Sequence, residues 1–207
     1  MRKIIALKLV GGLSDTSKMP GKSYGLPTAH CLTGSKLALK KGTICSECYA
    51  CKGHYALYAG QIIPAQQRRL ESLDSPQWIE AMVTALKKET YFRWFDSGDL
   101  QSVQLLENIK EVARQTPHCK HWVSTRERRF VRESLRLSPV PDNLVIRISA
   151  TYPDVPVKLV EGVQGANVHK NKPPVGFECR APYQFGKCDD CRACWDKKVP
   201  VVSYKQH

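Results

Sequence analysis

Eight of the nine cysteines in this 207-residue chain fall into two groups of four. The N-terminal quartet contains Cys31, Cys45, Cys48 and Cys51. The C-terminal quartet contains Cys179, Cys188, Cys191 and Cys194. In both quartets the last three cysteines form a C-x2-C-x2-C run, and the fourth lies apart on the N-terminal side. Two sets of thiols with one pattern indicate two metal centres, one near each end of the chain.

Thiolates are ligands for iron–sulphur clusters, and a tight run of three suits three corners of a cubic [4Fe-4S] cluster. The distal cysteine then supplies the fourth corner. Zinc also takes four thiolates, but structural zinc usually draws them from two separated C-x2-C pairs. The spacing therefore favours one or two [4Fe-4S] clusters, with zinc as the alternative. In the N-terminal quartet it remains open whether Cys45 and Cys48 alone are ligands, and the lone Cys119 is interpreted as a packed side chain.

Two carboxylates and several small polar groups are the other candidates for chemistry. Asp96 and Asp99 flank Ser97-Gly98 and suit a general base or a contact to substrate or cofactor. The competing interpretation is that Asp99 caps a helix and Asp96 closes a turn. Ser17 and Lys18 lie in a long loop over residues 11–30 that either binds an anion or simply connects two elements.

Hydrophobic periodicity predicts the elements that position these residues. Strands are predicted over residues 3–10, 91–95, 121–125 and 143–149, with another over 175–179. Helices are predicted around residues 54–60, over 64–73, from a Ser75 cap to near 89, from 103 to 112, and over 126–136. Residues 152–174 show little pattern and are predicted as a loop.

The alternation of strand and helix in the middle of the chain predicts a single α/β domain over residues 1–207. We expect a partial, parallel βα barrel-like sheet with cysteine-rich, metal-binding loops toward both termini. Ligands of such sheets bind beyond the carboxyl ends of the strands. Asp96, Ser124 and Thr125 fall there, and Cys179 ends the last predicted strand in the same way. The two centres are therefore expected to face one pocket, with Ser124 and Thr125 as cofactor contacts.

Composition limits the partners and the compartment. The formal net charge of +13 favours phosphorylated substrates or nucleic acid, and the arginines of residues 126–136 either contact phosphate or form a solvated face. No run approaches the roughly 18 apolar residues of a membrane span. The first ten residues lack a cleavage site, so a secretion signal is not predicted. We expect a cytoplasmic protein, because clustered cysteines in a reducing compartment are usually ligands.

Four motifs together resemble a family from phages and mobile elements, the mycobacteriophage gene product eighty-eight type. They are Leu13-Ser-x-x-Ser17-Lys18-Met19-Pro20-Gly21 with Cys31 after it, Cys48-Tyr49-Ala50, Asp96-Ser97-Gly98-Asp99, and the segment from Gly186 to Trp195. The most specific parts are Cys-Tyr-Ala and the Cys-Arg-Ala-Cys-Trp ending. The resemblance implies a phage origin, a host-cell cytoplasmic location and iron–sulphur content rather than a particular reaction.

A looser likeness is to the radical S-adenosylmethionine enzymes, which combine a partial βα barrel with a four-iron cluster. Those enzymes usually carry C-x3-C-x2-C, whereas this chain has C-x2-C-x2-C and offers Cys31 as a fourth ligand. The glycine-rich strand that contacts their cofactor is also not evident. The likeness implies a redox or radical-type enzyme that takes an electron donor. The alternatives are a nucleic-acid-binding protein with structural metal sites and an electron-transfer protein.

Overall fold

The computed structural model describes residues 1–206 and has an α/β architecture. Its α-helices are α1 Lys3–Leu9, α2 Leu32–Ala38, α3 Gly53–Leu57, α4 Ala59–Ser72, α5 Trp78–Leu86, α6 Val103–Gln115 and α7 Arg128–Leu137. Its strands are β1 Lys22–Tyr24, β2 Tyr91–Trp94, β3 Lys120–Thr125, β4 Leu144–Ser149, β5 Gln164–His169, β6 Phe177–Glu178 and β7 Val201–Lys205. Single turns of 3-10 helix lie at Cys45–Glu47, Tyr49–Cys51 and Ala193–Trp195.

All seven strands join one parallel sheet in the order β1-β2-β3-β4-β5-β7-β6. The first five strands follow the chain, and α6 and α7 make the crossovers from β2 to β3 and from β3 to β4. Short crossover helices between neighbouring parallel strands return the chain to the same edge each time. The predicted parallel α/β sheet is therefore confirmed.

The helices cover one face of this sheet, which we call the helix face and define by Trp94, Val123 and Ile146. These side chains belong to the apolar core together with residues of α1, α5, α6 and α7. Helices α1 and α5, α5 and α6, and α6 and α7 also contact each other in sequence. The core is thus built between the sheet and a single layer of helices, as two-layer packing requires.

The opposite face carries no α-helix from that layer, and we call it the loop face. It is defined by Arg93, Trp122, Arg147 and Tyr204, whose positions follow from the parallel register and the two-residue alternation of strands. The segment around Trp195 packs here, with its ring edge-on to that of Trp122 at a centroid distance of 5.3 Å. Charged, polar and aromatic side chains line this face, in contrast to the apolar core.

Several predicted elements are wrong. Residues 3–10 form helix α1 instead of a strand, because burial at Ala6, Leu9 and Val10 follows helical spacing. The expected loop over residues 152–174 contains β5, and the loop over residues 11–30 contains β1. Ser75 is not the cap of α5, since Gln77 occupies that position. No helix in the described residues is long and apolar enough to cross a bilayer.

Candidate functional site

The N-terminal quartet lies over the carboxyl ends of the central strands. Its segment is fastened there by the backbone N–H of Ile44, which donates to the carbonyl of Thr151 just beyond β4, at 2.9 Å. Thr33, in α2, donates from its backbone nitrogen and its hydroxyl to the two carboxylate oxygens of Glu127, at 2.7 and 2.8 Å. Glu127 follows β3, so the quartet sits across the ends of β3 and β4.

The four thiols of this quartet share one neighbourhood. The Sγ atoms of Cys31 and Cys45 lie 3.6 and 3.7 Å from the place where a Cβ at Gly34 would stand. Burial raises the pKa of Cys31 to about 12, and the nearby Asp99, Cys48 and Cys45 raise it further. The absence of a side chain at Gly34 therefore leaves room for two thiols to face each other.

The C-terminal quartet lies on the loop face. The backbone N–H of Cys179 donates to the carbonyl of Ser203 in β7 at 2.8 Å, and Cys194 Sγ is 3.2 Å from the hydroxyl of Tyr204. Burial raises the pKa of Cys194 to about 11, while Tyr204 and the charge of Arg147 act in the opposite direction. For Cys188, burial raises the pKa and neighbouring thiols add to it. These four thiols also converge on one region.

Arg147 anchors the C-terminal quartet to the sheet. Its side chain is fully buried in β4, and every guanidinium nitrogen donates to backbone carbonyls. The accepting carbonyls belong to Gly165, Ala193, Cys194, Asp196 and Val199, at 2.8 to 3.2 Å. Five such bonds fix the course of residues 193–199 across the loop face. Within residues 1–206 no carboxylate forms an ion pair with this buried cation, which therefore gives the region a positive potential.

The thiols do not yet form a closed site. Across residues 1–206, no group of three or more His, Cys, Asp and Glu side chains is arranged so that it could hold a metal ion as it stands. Coordination would require each loop to bring its thiols closer together. Loops that close only around a metal couple binding to local folding.

Arg93 lies between the two quartets. Its Nη2 donates to the hydroxyl of Tyr49, the residue after Cys48, at 3.0 Å. Its charge also lowers the pKa of Cys194 in the other quartet. The two quartets therefore approach the same region of the sheet, with one arginine from β2 between them.

Asp96 follows β2 and is held by an unusual backbone. Phe95, just before it, has φ of 58°, a left-handed conformation that is strained for a side chain of this size. The hydroxyl of Tyr55 donates to Asp96 Oδ2 at 2.8 Å. Its other oxygen, Oδ1, is buried against Gly25 and has no hydrogen-bond partner in the described part of the chain, residues 1–206. Asp96 is thus a positioned carboxylate with one oxygen free, as a general base or a ligand contact requires.

Asp99 has a different environment. Thr125 Oγ1 and the backbone nitrogen of Leu100 donate to its Oδ1, and the nitrogen of Arg126 donates to Oδ2 at 2.9 Å. Burial raises the pKa of Asp99 to about 6, although these hydrogen bonds oppose the rise. Asp99 and Thr125 thereby close the turn after β3. The helix α6 is capped by Ser102, so Asp99 is not its cap.

The remaining predicted contacts are spread over the same side of the sheet. Ser124 Oγ lies 2.9 Å from Ser149 Oγ on the loop face. Lys18 contributes its carbonyl to the backbone nitrogen of Cys188 at 2.8 Å, and its charge lowers the pKa of that thiol. Ser17 is exposed in the same loop. The loop of residues 11–21 therefore meets the C-terminal quartet rather than standing apart from it.

Sequence reasoning missed Arg93, Arg147, Tyr204 and Tyr55. Each is a polar residue in or beside a short segment, and such a residue is normally expected to be exposed to solvent. The strongest available signal is a single arginine inside an otherwise apolar strand, as at Arg147 in Leu-Val-Ile-Arg-Ile-Ser. A charge in a buried parallel strand needs partners from elsewhere in the chain.

A pocket of about 570 Å³ adjoins the C-terminal quartet. It lies on the loop face near the amino-terminal end of β3, opposite the strand ends over which the N-terminal quartet lies. Its wall includes Cys191, Trp195 and four cations, which are Lys120, Arg180, Arg192 and Lys198. Asp190 and Asp196 balance part of this charge. The indole nitrogen of Trp195 donates to the carbonyl of Phe92 at 2.9 Å, so this ring is fixed between the pocket and the sheet.

Comparison with known proteins identifies the family. A family model described as Gene product 88 matches residues 6–197, which is most of the chain. The chain therefore belongs to the Gene product 88 family, in agreement with the resemblance carried by its cysteine motifs. No curated protein and no solved structure matches it.

Proposed function

We propose that this member of the Gene product 88 family is an iron–sulphur protein that works as a redox or radical-type enzyme. One observation carries the proposal: two quartets of thiols, far apart in the sequence, converge on the same side of an all-parallel sheet. With the helices on the other face, the sheet would form a partial βα barrel whose inner surface is the loop face. The substrate would bind between the quartets.

The residues present fit such clusters in their chemistry and their charge. A four-iron cluster with four thiolates carries about −2 in its common oxidised form, so nearby cations favour its binding. Burial raises the pKa of Cys31, Cys45 and Cys194, and nearby arginine charges oppose this rise: Arg126 for the first two thiols and Arg147 for Cys194. Each quartet thus has a cation of its own. A bound cluster would supply one-electron transfer at this side of the sheet.

The side chains around the quartets have separate tasks under this proposal. Trp195 and Tyr204 would shield the C-terminal centre from water, which tunes a cluster's potential. Asp96, with its free Oδ1, would accept a proton from substrate or fix a cofactor group. Ser17 and Lys18 would lie at the entrance. An external one-electron donor would complete the system.

The experiment is anaerobic reconstitution with iron and sulphide, followed by metal counting and visible absorption. We expect about eight iron atoms per chain, because each cubic cluster contains about four. Cys48→Ser and Cys191→Ser should each remove about half of the iron. Cys119→Ser is the matched control, since that thiol is buried in the core outside both quartets and should leave the count unchanged. A colourless protein that holds zinc alone would refute the proposal.

Radical chemistry is tested by a second measurement. The reconstituted protein, reduced with dithionite, is incubated with S-adenosylmethionine, and 5′-deoxyadenosine is measured. Its formation, lost in Cys48→Ser, supports a radical-type enzyme. A fully loaded, reduced protein that forms none is a redox protein of another kind.

A second candidate function, nucleic-acid binding with structural metal sites, is favoured by the outer surface of α7. Arg129, Arg132 and Arg136 are exposed there, and none of them forms an ion pair within residues 1–206. The test is binding to RNA and DNA over a range of salt concentrations. Replacing Arg129 and Arg132 with Ala should weaken binding and reduce the salt dependence. Binding that ignores salt would reject this candidate.

A further inference from the structure

Within residues 1–206, three neighbouring side chains on the loop face each contain a buried polar atom that has no hydrogen-bond partner. The atoms are Ser23 Oγ, Arg93 Nε and Trp122 Nε1. Ser23 pairs in register with Arg93 across β1 and β2, and Arg93 pairs with Trp122 across β2 and β3. The three residues therefore form one lateral row on three adjacent strands, which we call the donor row.

Burial makes this row unusual. Ser23 is 0% exposed and Trp122 is 4% exposed, so water does not reach their polar atoms. Buried polar groups in folded proteins are nearly always paired, and one without a partner needs an explanation. Three in a single lateral row point to a shared cause. All three can donate a hydrogen bond, and an arginine and an indole nitrogen can do nothing else.

The arginine of the row is held in place by its other contacts. Its guanidinium carbon lies 4.6 Å from the centre of the Trp122 ring, and Nη2 donates to Tyr49. Nη1 meets only the sulphur of Met19, at 3.8 Å. One part of a fixed, charged fork is therefore left without an acceptor. Fixing a donor before the ligand arrives reduces the entropy lost on binding.

We infer that the donor row is a binding site for an oxyanion, the carboxylate or phosphate end of a small ligand. The ligand's oxygens would accept from Ser23, Arg93 and Trp122, and its charge would meet that of Arg93. A methionine is flexible, so the Met19 side chain is the group that moves to admit the ligand. The site requires no metal, and it goes beyond the proposed function by naming the chemistry of what binds beside the quartets.

The experiment is thermal unfolding of the full chain with increasing inorganic phosphate or acetate, each against chloride at matched ionic strength. A saturable rise in the unfolding temperature with either anion is expected, because a ligand of the folded state stabilises it. Phosphate and acetate separate the two sources of the oxyanion. No saturable rise with either one overturns the inference.

Variants locate the effect. Ser23→Ala and Trp122→Phe should each weaken anion binding roughly tenfold to a hundredfold, the effect of one hydrogen bond to a charged group. Arg93→Ala should abolish binding, whereas Arg68→Ala, which removes the same charge from the exposed surface of α4, should leave it intact. If Arg93→Ala fails to fold, the other two variants still decide. Equal binding in all variants would show that the anion acts elsewhere.

This outcome is separable from that of the cluster proposal. Iron is counted in every variant, and the anion titration is repeated on protein without metal. If the protein binds no iron but still responds to the anion, the anion-site inference stands and the iron–sulphur enzyme proposal fails. If the protein binds the expected iron but does not respond to the anion, only the anion-site inference fails.

Discussion

The two faces of the sheet differ in whether particular buried polar atoms have hydrogen-bond partners. On the helix face, His121 accepts from the indole nitrogen of Trp94 at 3.3 Å and lies 2.8 Å from the hydroxyl of Thr116. That hydroxyl donates onward to the carbonyl of Val112. On the loop face, Ser23 Oγ and Trp122 Nε1 have no hydrogen-bond partner among residues 1–206. An unpaired buried group costs about 1–3 kcal/mol. These paired groups of the helix face thus stabilise the fold, whereas Ser23 and Trp122 on the loop face retain donors that suit binding.

Arg147 should give the largest effect, because it is the loop-face arginine whose guanidinium nitrogens are all paired. Arg147→Met removes the donor from five carbonyls and should lower the free energy of unfolding by about 4 kcal/mol. Arg129→Met, on the exposed surface of α7, should change it by less than about 0.5 kcal/mol. Urea unfolding measures both. Equal losses of unfolding free energy in the two variants would show that Arg147 does not anchor residues 193–199.

The paired histidine of the helix face should make stability depend on pH. Burial lowers the pKa of His121 to about 3, and the nearby His118 contributes to the shift. The folded state therefore binds this proton less readily than the unfolded chain. Its stabilising contribution is complete above about pH 6.5 and falls by about 1.4 kcal/mol per unit as the pH drops toward 3.

The measurement is urea unfolding at pH 7 and pH 5 for the wild type and His121→Gln. The wild type should lose about 2 kcal/mol more than the variant between the two pH values, because glutamine does not titrate. Parallel losses in both proteins would place the pH dependence on other groups.

A matched pair of tryptophans compares the faces directly. Trp94→Phe breaks the hydrogen bond to His121, whereas Trp122→Phe breaks none. Both changes remove the same atoms, so the first should cost about 1–2 kcal/mol more in the free energy of unfolding. Denaturant unfolding without added anion gives the difference. If Trp122→Phe proves the more harmful, its indole nitrogen has a partner after all.

A pair of serines gives the smallest expected effect. Ser203 and Ser23 are both fully buried on strands, but Ser203 Oγ lies 3.0 Å from His169 Nδ1 and Ser23 Oγ has no partner. Ser203→Ala should cost about 1 kcal/mol, and Ser23→Ala should be neutral or slightly stabilising. The unfolding midpoints of the two variants, measured side by side, provide the check.

The elements with long, periodic patterns were predictable from the sequence. Strands β2, β3 and β4 and helices α6 and α7 were placed within a few residues, and Asp96 and Thr125 were expected at strand ends. The error at α1 arose because Ile4 and Ile5 favour a strand, whereas tertiary packing buries Ala6 and Val10 on one helical side. Strand β5 has too few apolar residues for its sequence pattern to predict a strand. Its extended conformation depends on pairing with the neighbouring strands of the sheet.

The site was predictable only where its chemical groups lie close together in the sequence. The cysteine spacing is local, and it led to the two quartets and to the family. Arg93 and Arg147 carry only a weak local signal, a single arginine within a strand, because an arginine in a strand usually faces water. Their roles come from segments far away in the chain, as with Arg147 and the carbonyls of residues 193–199. Pairings over such sequence distances are not encoded in any short window.

The position of β7 bears on how the protein is made. This strand lies between β5 and β6, and β6 has no other strand partner in the described part of the chain. During synthesis, β6 must therefore wait until residues 201–205 have emerged before it joins the sheet. The N-terminal quartet, over β3 and β4, can be placed earlier. Placement of the C-terminal quartet is thus a late step, and a ribosome stalled before β7 would carry a chain with only the N-terminal quartet in position.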